Sequence, residues 1–252
     1  MKTFRSIVIT GASSGIGAAL ALDYADDSSR LVLNGRDAQR LDAVATACRA
    51  RGAEVDARTI DVADRAAMAA WLKDQDAVRP IDLVIANAGI SIDKGPGQGV
   101  DEDRTRRTFA VNVEGAFNTV FPLLDAMRAR RNGQVGLVSS LAGFIGLPRA
   151  SAYNASKAAV RVWGESIRHQ LHRDNVGVSV IIPGFVESRI TMGNDFPMPF
   201  RMTAPRASAI IRRGLANDRA RIAFPIGLKA AVWLGTALPG NLTDWFLRRF
   251  SR

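Results

Sequence analysis

Thr10-Gly11-Ala12-Ser13-Ser14-Gly15-Ile16-Gly17 stands between a short apolar run, Ile7 to Thr10, and an Ala/Leu-rich stretch of helical period over 15–26. Glycine is needed in such a loop for two reasons: a tight turn demands permissive dihedrals, and a pyrophosphate must approach the backbone with no Cβ in the way. A helix that opens near Gly15 offers unpaired N–H groups and a positive dipole end to phosphates. Strand, glycine turn and helix in this order predict a dinucleotide site at the first strand of an open α/β sheet. The residues expected to line it are Gly11, Ser13, Ser14, Gly15, Ile16 and Gly17.

Outward from this loop, short β-branched runs alternate with longer Ala/Leu/Arg-rich stretches. The runs are Ile7 to Thr10, Leu31 to Leu33, Val55 to Ile60, Leu83 to Ala86, Val135 to Ser139 and Val176 to Ile182; the helical stretches are 15–26, 37–51, 64–77, 103–131 and 153–174. The alternation predicts βαβ units, and right-handed crossovers place helices on both faces of one parallel sheet. With 252 residues, 47% of them hydrophobic, one domain over 1–252 is expected, an α/β Rossmann-type doubly wound sheet. After residue 185 the pattern loosens. A loop bearing Ile190, Met192, Phe196, Met198 and Phe200 precedes a helix near 203–217, so 188–217 is expected to form a substrate lid. A short run, Arg221 to Phe224, and an apolar stretch follow, and 218–252 is expected to form a basic, apolar C-terminal tail.

Cys48 is the only cysteine, and His169 and His172 are the only histidines. Neither a disulfide framework nor a Cys/His zinc site can be assembled from them, so no metal is expected and a reducing, cytoplasmic compartment is. The net charge of +10 is uneven: residues 1–200 carry 24 basic and 22 acidic side chains, while 201–252 carry ten basic ones against Asp218 and Asp244. Without aromatic platforms or a recognition motif, nucleic acid is not an expected partner. The basic tail, with Trp233, Trp245, Phe246, Phe250, Arg248, Arg249 and Arg252, raises a peripheral membrane contact instead, or packing over a pocket or subunit interface.

The second strand ends Leu33-Asn34-Gly35-Arg36-Asp37, at the distance from the glycine loop where a carboxylate would bind the ribose 2′-OH of NAD. Asn34 stands there, and Arg36 follows. That pattern favours NADP(H) over NAD(H); the alternative is a solvated Arg36, with Asp37 capping the next helix. Further along, Tyr153 and Lys157 lie four apart in a helical segment and share one face. A phenol near pKa ~10 is a poor acid–base catalyst at neutral pH, and an adjacent ammonium favours its phenolate.

These segments together resemble the short-chain dehydrogenase/reductase family, over about residues 5–190. The glycine loop has that family's TGxxxGxG spacing. Asp61-Val62 is similar to its adenine-ring contact, Asn87-Ala88-Gly89 to its structural Asn-Ala-Gly motif, and Tyr153-Asn154-Ala155-Ser156-Lys157-Ala158-Ala159 to its YxASKAA form. By this resemblance Ser140 would hydrogen-bond the substrate oxygen, with Ser139 an adjacent competitor. Tyr153 would exchange the proton, and Lys157 would bind the nicotinamide ribose and tune Tyr153. Asn112 would hold a water linking Lys157 to solvent, and Pro183, Gly184, Val186 and Ser188 would contact the nicotinamide carboxamide. The implied activity is hydride transfer between NADP(H) and a carbonyl or secondary alcohol, in a homo-oligomer, dimer or tetramer. The apolar lid points to an apolar substrate. Two other readings stay open: a catalytically idle cofactor-binding protein acting through its tail, and a sugar epimerase or dehydratase, whose relatives are typically longer with another glycine spacing.

Overall fold

The computed structural model describes residues 1–91, 100–148, 150–192 and 198–243. Seven parallel strands form one sheet: β1 (Ser6–Ile9), β2 (Arg30–Asn34), β3 (Glu54–Arg58), β4 (Leu83–Ala86), β5 (Gly133–Val138), β6 (Val176–Pro183) and β7 (Arg221–Phe224), in the order β3-β2-β1-β4-β5-β6-β7. The inner strands are apolar on both faces, as a sheet covered on both sides requires. Ile7, Ile9, Leu31, Leu33, Leu83 and Ile85 point to one face, where α1 (Gly15–Tyr24), α2 (Ala38–Arg49) and α8 (Ala204–Ala216) cover them. Val8, Val32, Val84 and Val135 alternate to the other face, under α3 (Arg65–Val78), α5 (Gly115–Arg130) and α6 (Ser151–Leu171). The expected doubly wound fold is the observed one.

Strand order reverses between β1 and β4, and an open α/β sheet binds its ligand at such a switch point, beyond the carboxyl ends of the strands. The glycine loop, Arg36, Asp61-Val62, Asn87 to Gly89, Ser140 and Pro183 to Ser188 leave those ends or lie just past them, while Asn112, Tyr153 and Lys157 are carried on helical segments.

Apart from shifts of a residue or two at element ends, four segments differ from the sequence reading. The stretch 103–131 is α4 (Glu102–Phe109), a π-helical turn over Ala110–Glu114, and α5. Widening at this turn accompanies the docking of the Asn112 amide on both backbone groups of Ile90, at 2.8 and 3.0 Å. β3 stops at Arg58, short of Ile60, because Asn34 Nδ2 donates to the carbonyls of Arg58 and Ile60 and takes over from the ladder.

The region 188–217 is not lid throughout. A short helix, α7 (Arg189–Met192), borders the cleft; the expected lid residue Phe196 lies outside the described residues; α8 belongs to the body. Ala207, Ile211 and Leu215 of α8 are fully buried, and the helix is tied to α1 by Ser208 and Arg212 on Asp23. Nor is 218–252 simply a tail. Arg221–Phe224 pairs with β6 as the seventh strand, α9 (Ile226–Ala237) follows it, and residues 244–252, with Trp245, Phe246, Phe250 and the last arginines, lie outside the described residues.

Candidate active site

A cleft of about 600 Å³ runs along the carboxyl edge of the sheet, from the end of β2 past the glycine loop to the amino end of α6. At the glycine loop, Gly11 has φ +67°, and a Cβ there would sit 2.9 Å from the Ala88 Cα; a Cβ on Gly17 would stand 2.3 Å from the Gly11 carbonyl oxygen. Only glycine lets the loop fold back on itself this closely. The Asn87-Ala88 segment fixes it from the β4 side. Asn87 Nδ2 donates to the Thr10 and Gly11 carbonyls, and Thr10 Oγ1 accepts from the N–H groups of Asn87 and Ala88.

The helix behind the loop is prepared for an anion. Helices α2, α3 and α4 each begin with an aspartate, Asp37, Asp64 and Asp101, accepting from a first-turn N–H. Ser14 at the start of α1 makes no such bond, and no acidic residue stands in its first turn. The first-turn donors and the dipole end of α1 therefore face the cleft without a side-chain acceptor.

At the β2 end the wall is Asn34, Gly35, Arg36, Asp37 and Arg40. Asp37 caps α2 through Arg40 N at 3.0 Å and pairs with Arg40 Nη2 at 2.7 Å, so its carboxylate is neutralised locally. Arg36 is exposed on the wall. Val62 also lines the cleft, held by Asn118 Nδ2 on its carbonyl at 2.9 Å. Asp61 is not among the residues that line the cleft; its carboxylate accepts from Arg107 and from Ala63 N. Burial pushes the Asp61 pKa up, but those two hydrogen bonds and the charges of Arg107 and Arg36 bring it below the ordinary carboxylate value.

The opposite end gathers Ser140, Tyr153 and Lys157. Helix α6 puts Tyr153 and Lys157 on one face, and the turn Leu141–Phe144 after β5 is packed so tightly on α6 that a Cβ on Gly143 would lie 2.8 Å from the Lys157 carbonyl carbon. Ser140 Oγ accepts from Ala142 N at 3.1 Å, makes a long 3.5 Å contact to the Pro183 carbonyl, and is hydrogen-bonded to Tyr153. Lys157 is 3% exposed; its Nζ donates to the Val138 carbonyl at 2.9 Å and stands 5.8 Å from the centre of the Tyr153 ring. Burial pushes Lys157 down to about 8. It also raises the Tyr153 phenol, against which the Ser140 hydrogen bond works.

The two adjacent serines separate by what they touch. Ser139 Oγ donates to the Lys157 carbonyl at 2.7 Å, a bond internal to the scaffold. Ser140 keeps its hydroxyl beside Tyr153. Ser139→Ala is accordingly expected to lower stability by ~1 kcal/mol with turnover largely kept, and Ser140→Ala, which loses its bond to Ala142 N, to cost a similar ~1 kcal/mol but to lose roughly 10²-fold in kcat. Urea melts and steady-state rates on the two variants check this; the reverse pattern would exchange the serines.

A sequence model described as short chain dehydrogenase matches residues 5–196. The chain belongs to that family. This short-chain dehydrogenase is an oxidoreductase, 36% identical over 248 residues to an uncharacterized oxidoreductase of Myxococcus xanthus, covering 98% of each chain. It is 31% identical over 209 residues to the ketoacyl reductase HetN of Nostoc, covering 82% of this chain and 71% of that one. A short-chain dehydrogenase from Sphingobium yanoikuyae solved with NADPH superposes with a TM-score of 0.80 at 25% identity, covering 94% of this chain and 97% of that one. One from Burkholderia phymatum solved with NAD gives 0.84 at 26%, covering 93% and 94%.

Of the residues singled out in this short-chain dehydrogenase, Gly17, Asp61 and Asn112 are not among those that line the cleft, and the others are. Asn112 Nδ2 donates to the Ile90 carbonyl and to Ser156 Oγ, which in turn donates to the Tyr153 carbonyl. A Cβ on Gly89 would meet Lys157 Nζ at 3.2 Å and Asn112 Oδ1 at 3.3 Å, so Gly89 leaves the space between them open. Ser156 carries no role in the sequence reading; the signal for it is a serine inside a helix, where it is a weak former. Arg40, four residues after Arg36, also lines the cleft, a position that the sequence reading does not single out. Gly15 also has a reason beyond the loop: its Cβ would press on Ser188 at 3.0 Å, so glycine lets the segment after β6 close down on it.

Proposed function

We propose that this chain interconverts a carbonyl group and a secondary alcohol on an apolar small molecule, with NADP(H) as the redox partner. The observation that carries the reading is the pairing, in one cleft, of an uncapped glycine-loop helix with the Ser140, Tyr153 and Lys157 cluster. The cradle fits a dinucleotide: Gly11 and Gly17 have no room for a Cβ. Gly11 to Ile16 and the first turn of α1 would hold the pyrophosphate, Val62 and Asn87 to Gly89 the adenosine side and the middle of the groove, and Lys157 with Pro183 to Ser188 the nicotinamide end. When bound, the cofactor supplies or accepts the hydride.

The protein's own groups manage the proton. Raised by burial, Tyr153 is a protonated phenol at neutral pH, able to give its proton to a substrate oxygen that gains negative charge. Ser140, fixed by Ala142 N and hydrogen-bonded to Tyr153, has a long 3.5 Å contact to Pro183 and can donate to the same substrate oxygen. The Lys157 ammonium stabilises the phenolate left on Tyr153. Since Lys157 loses its proton near pH 8, carbonyl reduction is expected to be flat below that pH and to fall above it. The reverse reaction needs a deprotonated Tyr153 and is expected to rise with pH. Profiles of kcat/KM in both directions read this; reduction that climbs through pH 8 contradicts the assignment.

NADP(H) is favoured because Asn34 replaces a carboxylate at the β2 end, Asp37 is neutralised by Arg40, and Arg36 is open on the wall. A charge-assisted bond to a phosphate is worth about 1.5–3 kcal/mol. Arg36→Ala is therefore expected to weaken NADPH by roughly 10–100-fold and NADH far less. Titration of both cofactors checks it; equal losses give Arg36 another task. An apolar substrate is supported by Ile190 on the wall and exposed Met192 and Phe200 in the segment beyond it. Assembly of copies is supported by exposed Phe121 and Val162 beside the Phe117–Trp163 pair on the outer side of α5 and α6. Among the described residues no helix is long and apolar enough to cross a membrane.

A further inference from the structure

Three segments far apart in the chain, the stretch after β4, the π-helical turn and the start of α6, are joined by one run of hydrogen bonds. Ile90 N donates to Asn112 Oδ1 at 2.8 Å; Asn112 Nδ2 donates to the Ile90 carbonyl at 3.0 Å and to Ser156 Oγ at 2.9 Å; Ser156 Oγ donates to the Tyr153 carbonyl at 2.8 Å. Asn112 is 2% exposed and Ser156 is fully buried, so bulk water cannot replace a partner lost at either. In an α-helix the carbonyl of Tyr153 is also the acceptor for the N–H four residues on, that of Lys157. The Ser156 hydroxyl therefore enters α6 at a peptide group that links the tyrosine and the lysine of the cleft.

Alanine at 156 would form helix better and fill the same place with one atom less. A serine that only bonds back to its own helix adds no link to the rest of the fold. What this hydroxyl adds is its second bond, to Asn112 on another element. That bond takes the Nδ2 proton left over once the amide has engaged Ile90, and it fixes which way the amide faces, since a flipped amide would set Nδ2 against the Ile90 N–H. The constraint reaches the reacting end of the cleft. Asn112 Oδ1 and Lys157 Nζ both stand against the Cβ position of Gly89, at 3.3 and 3.2 Å, while Lys157 Nζ is held by the Val138 carbonyl at 2.9 Å.

We propose that Ser156 is a positioning residue for the proton step: by tying the Asn112 amide to the Tyr153 peptide, it holds the start of α6, with Tyr153 and Lys157, in place against the stretch after β4. Ser156 does not line the cleft, so it acts through Asn112 and through the helix backbone. Without the hydroxyl, a buried Nδ2 proton has lost its acceptor, and the amide relieves this by turning or shifting. The shift is passed to Lys157 across Gly89 and to Tyr153 along α6. A displacement of about 1 Å far from the chemistry is enough to cost ~10²-fold in rate. The inference rests on the oxidoreductase reading above.

Two measurements on Ser156→Ala test the proposal: steady-state reduction by NADPH of a methyl ketone, of the chain length that wild type turns over fastest, and hydrogen exchange of the protein without ligands. The variant is expected to lose roughly 10–10²-fold in kcat while KM and the NADPH Kd stay within about twofold of wild type. Asn112→Ala is expected to lose about as much in kcat alone as together with Ser156→Ala, because two residues on one path do not add. Exchange must rise at the amides around Ile90 as well as in the first turns of α6. If the alanine variant does not fold, as circular dichroism will show, Ser156→Cys, which puts a weak donor in the same place, must show the same split between kcat and KM. Wild-type kcat in a folded variant, a loss carried by KM or by cofactor affinity, losses that multiply in the double variant, or exchange that changes in α6 alone overturns the proposal and leaves Ser156 a part of the scaffold. An inactive Tyr153→Phe beside an unimpaired Ser156→Ala removes this inference only. Wild type that reduces no ketone removes the oxidoreductase reading, and the proposal with it.

Discussion

Tyr153→Phe is expected to lose roughly 10²–10⁴-fold in kcat while keeping its fold and its affinity for NADPH. The variant removes one hydroxyl, at the place where Ser140 and Lys157 converge, and leaves the ring in its contacts. Only the proton needed in the transition state is lost, so kcat and kcat/KM fall together. Steady-state rates with a fluorescence titration of cofactor separate the two terms. Wild-type turnover in this variant, or a loss carried by KM alone, removes Tyr153 from the proton step.

Lys157→Met is expected to reverse the usual sign of a mutation: less activity and more stability. In the unfolded chain this amine keeps its proton up to the ordinary 10.5, while in the folded chain it does so only up to about 8. Between those values the unfolded state holds the extra proton, so this group makes stability rise with pH from about 8 to 10.5; below 8 the full cost of the buried charge remains. A depression of this size corresponds to about 3 kcal/mol, offset in part because the Val138 carbonyl loses its donor. The variant is therefore expected to be ~1–3 kcal/mol more stable than wild type at neutral pH, with the gap closing toward pH 10, and to be as impaired in turnover as the tyrosine variant. Urea melts at the two pH values read the sign. A variant less stable at pH 7 would mean that the hydrogen bond to Val138 outweighs the charge, and that Lys157 is part of the scaffold.

Much of this arrangement was legible in the sequence, because it rests on local signals that survive folding. β-Branched runs alternating with helical stretches gave the sheet, since parallel strands need crossover helices. Ser13, Ser140 and Tyr153 reached the cleft because each lies just past a strand end or on the next helix. Three kinds of information were not local. The π-helical turn at Asn112 depends on Ile90, 22 residues away, so 103–131 read as one helix. The roles of α8 and β7 depend on their partners: Ala207 and Ile211 pack in the α1 layer, and Arg221–Phe224 becomes a strand because β6 has a free edge. Charge pairing is equally invisible along the chain. The ion pair of Asp61, just after β3, with Arg107, 46 residues later, leaves no local mark.

The most direct measurement of the central claim follows the hydride. NADPH deuterated at the transferable position of nicotinamide C4 is mixed with the protein and ketones of increasing chain length, and the products are weighed by mass spectrometry. The account predicts an alcohol from at least one ketone that carries a single deuterium on the former carbonyl carbon, formed by wild type and not by Tyr153→Phe. Cofactor that binds in the cleft while no ketone acquires deuterium, and no secondary alcohol reduces NADP in the reverse direction, would contradict it and leave a binding protein with an idle Ser140, Tyr153 and Lys157.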